Sequence, residues 1–337
     1  MIKVNVYAFS VKIYNDIVLV LINEGDELIL RKYDLNFKPL KDIIKIKGKR
    51  GFILYINENS LLLGIDDKLV LVNNHETKVV LTAHSPNNLF WHAASTEDAV
   101  FIQEYGESPT GIYISRNLVE WRELTTNVQV DRKSKHFHYI IYDFHRDQLL
   151  ATLGDGNLVR AVFSEDHGIT WKSLYKGPWQ FVPIKSLKNE IIFGMDSGIA
   201  RGGIGVYYPE KGRWNFIFLK WLDRMVRFAQ MSDLKLLSNG VWLAVLGTPQ
   251  AILASENLET WYPVYVEGFD KTFNIHMTIS EGTDVVACST GRNLLLFKKS
   301  ELKSLAFNNL PVMVKYQAYL DRLKGVAFVL KRELLNL

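Results

Sequence analysis

Short runs of apolar residues, separated by turns rich in Asn, Asp and Gly, recur along most of this 337-residue chain. The runs Ala99–Ile102 and Gly111–Ile114 are typical, and Gln148–Leu153 with Leu158–Phe163 repeats their arrangement. Short runs bounded by turn residues predict β-strands. Grouped by fours, they predict seven blades of an all-β propeller across residues 1–311. Six blades, with a divergent N-terminal pair of units, is the alternative.

The two ends of this array are predicted less directly than its middle. Val4–Val11 alternates in the manner of a strand and is assigned as the first strand of the first unit. The last unit contains Phe273–Ile279, Val285–Cys288 and Leu294–Phe297, and we expect its outer strand near Leu305.

One turn between two apolar runs carries a motif that recurs with a regular period. Ser164–Trp171 reads S-x-D-x-G-x-T-W, and two shorter copies, Ser115–Trp121 and Ser255–Trp261, read S-x-N-L-x-x-W. A fourth turn, Tyr208–Trp214, keeps the terminal tryptophan. The copies start at residues 115, 164, 208 and 255, so the period is 44 to 49 residues, as expected for propeller blades.

The residues of the longest copy are those that a tight turn needs. The carboxylate of Asp166, following Ser164, can accept backbone N–H groups of the turn, and Gly168 can adopt a positive φ without steric cost. Trp171 begins the next strand and can pack over the turn. We therefore interpret this motif, with Thr170, as structural and look for chemistry elsewhere.

After Pro311 the pattern changes. Lys315, Lys324 and Lys331 share much of one face, and the spacing of the apolar residues predicts an amphipathic α-helix over 312–337, packed on or beside the propeller. A basic amphipathic helix could instead dock a protein partner or a membrane surface. The apolar residues concerned are Tyr316, Tyr319, Leu320, Leu323, Val326, Ala327, Leu330 and Leu334.

Composition narrows the classes of protein to consider. The net charge of +4 is small for this length and argues against nucleic-acid binding. Cys288 stands alone, so no intramolecular disulfide can form. No apolar run is long enough for a transmembrane segment, and Met1–Val6 does not resemble a secretory signal. We therefore expect a cytoplasmic protein.

Propeller geometry indicates where a site would lie. The first strand of each blade lines the axis, and the second runs back to the face where the first began, so polar residues at these ends converge opposite the Ser164 turn. The candidate catalytic carboxylates are Glu104, Asp155 and Asp196, and the candidate ligand-binding residues are His92, His136, His138, Arg227, His276 and Arg292.

His136 and His138 are the most specific part of this set. Alternation along a strand turns both imidazoles to one side, toward the axis. With neighbouring carboxylates, the pair could hold a divalent metal ion or act as acid and base. The alternative is a hydrogen-bonded polar plug that fills a narrow channel. No other cofactor is indicated.

Five motifs occur here in a characteristic order: Glu104-Tyr105-Gly106, His136-x-His138, Ala151–Asp155, the Ser164 turn and Gly194–Ser197. In this the chain resembles the sialidase superfamily of Asp-box (BNR) propellers, within a group that has H-x-H and T-x-G-D motifs and mostly no assigned activity. The resemblance implies a carbohydrate ligand, by analogy.

The resemblance does not extend to a true sialidase. Asp143-Phe144-His145 replaces the group's D-P-Y motif, and no Arg-Ile-Pro segment is present. Arg50, Arg227 and Arg292 are not tied together as a substrate-binding triad by any motif. Two functions stay open. One is a binding or scaffold propeller, carbohydrate-directed, with a polar axial pocket. The other is a glycoside hydrolase or lyase that uses the axial histidines and carboxylates.

Overall fold

The computed structural model describes residues 1–73, 76–156, 158–196, 202–221, 224–225, 230–248, 250–268 and 277–302. These residues form seven antiparallel sheets of four strands each, and the inner strands contact one another in sequence around a closed ring. The prediction of an all-β propeller with seven four-stranded blades is confirmed, and the six-bladed alternative is wrong.

In the first four blades the chain runs from the innermost strand outward. Blade 1 contains β2 (Ala8–Tyr14), β3 (Ile17–Glu24), β4 (Glu27–Tyr33) and β5 (Pro39–Lys47). Blade 2 contains β6 (Gly51–Ile56), β7 (Ser60–Ile65), β8 (Lys68–Asn73) and β9 (Thr77–Thr82). Blade 3 contains β10 (Leu89–Ser95), β11 (Val100–Tyr105), β12 (Gly111–Ser115) and β13 (Arg122–Thr126). Blade 4 contains β14 (Ser134–Asp143), β15 (Gln148–Gly156), β16 (Val159–Ser164) and β17 (Lys172–Lys176).

The remaining blades follow the same order, except that the last is completed by the first strand of the chain. Blade 5 contains β18 (Phe181–Ser186), β19 (Ile191–Met195), β20 (Gly203–Tyr208) and β21 (Arg213–Phe218). A two-stranded ribbon, β22 (Lys220–Trp221) and β23 (Arg224–Met225), follows it. Blade 6 contains β24 (Gln230–Leu236), β25 (Trp242–Thr248), β26 (Gln250–Ser255) and β27 (Tyr262–Gly268). Blade 7 contains β28 (Thr278–Glu281), β29 (Val285–Ser289), β30 (Asn293–Lys298) and β1 (Ile2–Asn5).

The ring is closed by pairing between distant parts of the chain. Strand β1 pairs antiparallel with β30, from Ile2 opposite Leu296 to Asn5 opposite Asn293. The single strand predicted over Val4–Val11 is therefore two strands in different blades. The outer strand expected near Leu305 lies outside the described residues. Closure in this way pairs the exposed edge of β30, which would otherwise be open to association with other strands.

The hydrophobic core lies between neighbouring blades. Leu21 and Leu28 of blade 1 pack with Leu63 and Val70 of blade 2, and the other blade pairs repeat this arrangement. Second strands are apolar on both faces because a blade lies on each side of them, as in the buried run Val18–Ile22. Each large apolar side chain buried there contributes about 1.5–3 kcal/mol.

Side-chain hydrogen bonds close the turn at Ser164–Trp171. One carboxylate oxygen of Asp166 accepts the backbone N–H of Thr170 at 2.8 Å, and Ser164 Oγ accepts that of Gly168 at 2.7 Å. The indole N–H of Trp171 donates to the carbonyl of Gly168 at 3.0 Å. The hydroxyl and backbone N–H of Thr170, with the Ser164 hydroxyl and the N–H of Ile169, donate to Asp166 and lower its pKa to about 2. All five motif residues therefore serve the turn itself.

The shorter copies form the same turn with one left-handed residue instead of two. In the long copy His167 and Gly168 both have positive φ, whereas the short copies have only Leu118 or Leu258 in this conformation. Asn117 takes the place of the carboxylate and accepts two backbone N–H groups at 2.9 and 3.0 Å. An amide oxygen therefore suffices for the turn.

The prediction of a C-terminal α-helix is corrected. The described residues contain one α-helix, the single turn α1 (Asn127–Val130), and two 3₁₀ segments, Pro209–Lys211 and Lys299–Glu301. Residues 312–337 and the predicted boundary at 311 lie outside the described residues. The prediction rested on apolar spacing, and spacing alone does not stabilise a helix without a surface to pack on. Among the described helices, none is long and apolar enough to span a bilayer.

Candidate functional site

The register of the blades defines two faces of the ring. Phe90 pairs with Glu104 and His136 pairs with Gly154, so the starts of inner strands lie beside the ends of second strands. We call this side the site face. The opposite side, which carries the Ser164 turn and the hairpins that follow the inner strands, is the turn face.

His136 and His138 meet at the site face as an imidazole pair. Their side chains are 3% and 2% exposed, and their Nε2 atoms lie 3.1 Å apart. Nδ1 of His136 lies 2.6 Å from the carbonyl oxygen of Gly106, and Nδ1 of His138 lies 3.2 Å from that of Phe181. A carbonyl oxygen can only accept, so each Nδ1 donates its proton, and each neutral Nε2 is an acceptor.

This arrangement leaves the pair incomplete. Burial, followed by the neighbouring His136, lowers the pKa of His138 to about 3, and burial also lowers the pKa of His136. Both rings are therefore neutral at pH 7, and their two Nε2 lone pairs face each other. Two acceptors do not bond to each other, so a donor from outside the pair is needed to satisfy both.

Local backbone features hold the pair in place. A β-bulge in strand β14 lies at His138, where the register shifts between Phe137 and Tyr139. Gly154 lies directly beneath the ring of His138, because a Cβ at this position would lie 1.8 Å from Nε2. The glycine of the Ala151–Asp155 motif is therefore explained by the imidazole that covers it.

Two carboxyl groups near the imidazole pair have opposite pKa shifts. Asp155 is 47% exposed, and its Oδ2 lies 3.7 Å from Nε2 of His136 and 3.6 Å from Nζ of Lys135. Burial opposes ionisation of Asp155, but His138, His136 and Lys135 outweigh it and lower its pKa. Asp196 is 7% exposed, and burial with the nearby charge of Asp155 raises its pKa to about 8.

Glu104 has a different surrounding from the other two carboxylates. It is fully buried, and it accepts hydrogen bonds from the backbone N–H groups of His84 (2.8 Å) and Gly111 (3.0 Å). The side chains of Asn88, Tyr113 and His84 complete its shell at 2.7, 3.0 and 2.7 Å. A carboxylate with five partners has no free lone pair to offer a substrate, so its geometry is that of an anchor.

Glu104 supports the imidazole pair indirectly, through Asn88 and through Gly106 of the Glu104-Tyr105-Gly106 motif. The side chain of Asn88 donates to Glu104 and to the carbonyl of Glu107, and its oxygen accepts the N–H of Glu107 at 2.6 Å. Gly106 has a φ of 140°, and a Cβ there would lie 2.3 Å from the Asn88 oxygen. The carbonyl of Gly106 is thereby presented to His136.

Sequence reasoning missed several residues around the pair. The ring of Tyr105 lies 4.3 Å from that of His136, and burial raises the Tyr105 pKa to about 12. Arg160 is 7% exposed and donates to Oε1 of Gln180 at 3.3 Å, while its Nε has no partner in the described structure. The Glu104-Tyr105-Gly106 motif was the signal for Tyr105, whereas nothing in sequence marked Arg160 or Gln180.

The remaining predicted ligand residues do not join this cluster. His92 lies farther along the axis, where its ring is 3.9 Å from that of Tyr139 and 4.9 Å from that of Trp91. Arg292 is exposed in the turn between β29 and β30, three blades away from blade 4. Arg227 and His276 lie outside the described residues.

The metal site predicted at His136 and His138 stays a prediction. Within the ranges that the structure describes, no group of three or more His, Cys, Asp or Glu side chains is arranged to hold a metal ion. The imidazole pair supplies two nitrogen atoms, and Asp155 approaches only one of them.

Comparison with family models and with curated protein sequences finds no match. Solved propellers are similar in structure. An extracellular domain from B. thetaiotaomicron has a TM-score of 0.63 at 13% identity, covering 88% of this chain and 40% of that chain. A GH74 xyloglucanase from Xanthomonas campestris has a TM-score of 0.62 at 11% identity, covering 91% and 54%. YCF48 bound to D1 peptide has a TM-score of 0.58 at 9% identity, covering 88% and 96%. At these identities, the similarity shows that the chain has the β-propeller fold.

Proposed function

We propose that this protein is a carbohydrate-binding propeller whose site face receives hydroxyl groups of the ligand. The observation that carries the proposal is the imidazole pair, with two Nε2 acceptors 3.1 Å apart and both Nδ1 atoms bonded to backbone carbonyls. A sugar hydroxyl can donate to this pair and accept from another group at the same time. A neutral polyol therefore satisfies the two acceptors without placing a charge in a buried site.

The surrounding groups suit the same class of ligand. The ionised carboxylate of Asp155 is half-exposed and can accept hydrogen bonds from hydroxyl groups. Asp196, protonated at neutral pH, has an Oδ1 atom that is buried and without a partner in the described structure. Among the similar structures, the GH74 xyloglucanase is by its description a carbohydrate-active protein, although its likeness carries the fold alone.

A second candidate function is a glycoside hydrolase or lyase. The specific observation in its favour is the divergence of two neighbouring carboxyl groups, since the Asp155 pKa is lowered while that of Asp196 is raised to about 8. Such divergence is how an enzyme separates a general acid from a base or nucleophile. Asp196 would donate a proton and Asp155 would act as the anion, whereas Glu104 is already saturated by its five partners.

The test is a screen of the full-length chain against an array of neutral and acidic oligosaccharides, with the hits measured by calorimetry. Changing His136→Ala and His138→Ala together should lower affinity about 10- to 100-fold, because two acceptors are lost. His167→Asn is the matched control, since this exposed histidine lies on the turn face and Asn tolerates its φ of 55°. A screen without hits, or equal affinity of the double variant, would contradict the proposal.

The glycans that bind also show whether the protein is a binding protein or an enzyme. Each glycan that binds is incubated with the protein, and released reducing ends or unsaturated products are measured. Turnover that is lost in both Asp155→Asn and Asp196→Asn would establish the enzyme. Stable binding with no product from any hit would favour the binding protein.

A further inference from the structure

The turn-face half of the central channel is a cavity of about 430 Å³, separate from the imidazole pair. Residues from the inner strands of all seven blades line it, whereas His136, His138, Asp155 and Asp196 do not. Its volume lies within the range of small-molecule sites. The channel therefore has a second pocket, for which no motif in the sequence accounts.

One wall of this cavity carries a surplus of positive charge. Lys12, Lys185 and Lys235 lie on the inner strands of blades 1, 5 and 6, and Asp233 is the carboxylate among them. Three ammonium groups and one carboxylate give a formal surplus of +2. Across the part of the chain that the structure describes, none of the three lysines forms an ion pair or a hydrogen bond.

Asp233 forms hydrogen bonds with the backbone, and it interacts with Lys12 and Lys235 only through their charge. Its two oxygens accept the N–H groups of Leu234 and Ile279, each at 2.8 Å. Burial lowers the pKa of Lys12 and of Lys185, and the nearby charge of Lys235 lowers both further. The charges of Asp233 and Glu281 oppose these shifts in part, at Lys12 and at Lys185 respectively. Partly buried ammonium groups without a salt-bridge partner are unfavourable. An anion in the cavity would offset both causes by favouring the charged form of each lysine.

The opposite wall, from blades 2 to 4, is aromatic. Phe52, Trp91, Tyr139 and Tyr142 line it, and Phe144 stands 70% exposed at the turn-face end. His92 also lies in this wall, and its Nε2 atom is buried without a hydrogen-bond partner in the described residues. The cavity thus offers flat apolar surface on one side and ammonium groups on the other.

We propose that this cavity binds a small phosphate monoester with a flat ring, its phosphate on the three lysines and its ring against the aromatic wall. A phosphate monoester carries about 1.5 to 2 negative charges at pH 7, which matches the surplus. Lysine is a compact point charge that suits phosphate oxygens. This site is independent of the carbohydrate site proposed above, since it shares no residue with it.

Calorimetry on the full chain tests the class of ligand. The probes are phenyl phosphate, adenosine 5′-monophosphate, inorganic phosphate and benzoate. The two ring-bearing phosphates should each bind at least about tenfold tighter than inorganic phosphate and benzoate. Binding should weaken with added salt, and it should be accompanied by proton uptake, because the anion raises the lowered pKa of Lys12 and Lys185.

Variants test the lysines themselves. Lys12→Met, Lys185→Met and Lys235→Met together should lower the affinity for phenyl phosphate about 100-fold or more. The matched control replaces the exposed Lys41, Lys47 and Lys78 with Met, and its affinity should equal that of the wild type. Lys185→Met alone should lower the affinity for phenyl phosphate about tenfold. This single variant tests the role of the lysines if the triple variant does not fold.

Several outcomes would overturn the proposal. They are the absence of binding by all four probes, equal affinity in the lysine variants, or benzoate binding as tightly as phenyl phosphate. Equal affinity for inorganic and phenyl phosphate would overturn the role of the aromatic wall.

Discussion

The two halves of the central channel are lined by the same inner strands, yet they differ in chemistry. At the site face, His136 and His138 lie near Asp155 and Asp196, and most of these groups have hydrogen-bond partners. At the turn face, three lysines face an aromatic wall without partners in the described structure. Strand β14 contributes to both halves, since it begins with the histidines and continues with Tyr139 and Tyr142.

Burial raises the pKa of a carboxyl group in both halves of the channel, and the neighbouring groups determine how large the net shift is. Asp196 and Asp233 are both deeply placed carboxyl groups, and burial raises the pKa of each. Beside Asp196 the charge of Asp155 raises the pKa further. Beside Asp233, two backbone N–H groups and Lys12 lower it. The same fold thus favours a neutral acid at one end and a cationic pocket at the other.

The largest expected effect tests how firmly the site-face half is packed. Gly154→Ala would place a methyl group 1.8 Å from Nε2 of His138, so the imidazole would have to move. We expect the free energy of unfolding to fall by about 3 kcal/mol and glycan binding to be lost. The measurements are urea unfolding and calorimetry. Gly282→Ala is the control, because its nearest neighbour would be the Cγ2 atom of Ile13 at 3.0 Å. Similar losses for both variants would refute this packing.

The next effect tests whether Glu104 is an anchor or a catalytic group. Glu104→Gln replaces one carboxylate oxygen with an NH2 donor that faces other donors, and we expect unfolding to require about 1–3 kcal/mol less free energy. The control is Glu123→Gln, because Glu123 is 37% exposed in its contact with His84. This change should lower the free energy of unfolding by only about 0–1 kcal/mol. A Glu104→Gln variant that is as stable as wild type but loses turnover of a bound glycan would restore the catalytic assignment.

The smallest effect compares the two buried aspartates through pH. The Asp196 pKa is raised from 3.8 to about 8, so its stabilising contribution is present below pH 3.8 and is lost as pH rises toward 8. Asp196→Asn should remove this loss, making the variant more stable relative to wild type by about 1 kcal/mol for each pH unit between pH 5 and pH 7. Asp233→Asn should show a smaller change with the same sign, because lysines and backbone donors oppose the shift. Chemical unfolding at several pH values measures both, and the reverse order would contradict the comparison.

Local features of the fold could be predicted from sequence. The turn at Ser164 and its copies set the blade period because each turn is held by its own side chains. The closeness of His136 and His138 followed from alternation in a single strand. Pairing of β1 with β30 could not be predicted in this way, because its two strands lie at opposite ends of the chain and share no local signal.

The roles of individual polar residues depended on contacts that sequence does not contain. Glu104 looked like a catalytic carboxylate until His84 and Asn88, from the connection before β10, were found to enclose it. His92 was expected with the other histidines, but its position along β10 places it in the opposite half of the channel.

From the sequence alone, most strands and the turns of the Ser164 type could be predicted, and seven blades were favoured over six, because these features depend on residues close together in the chain. Ring closure and the packing of His138 over Gly154 were visible only in the tertiary structure. The same holds for the convergence of Lys12, Lys185 and Lys235 from three blades. Charged and polar side chains acquire their chemistry from burial and from neighbours, and around a closed ring those neighbours come from distant parts of the chain.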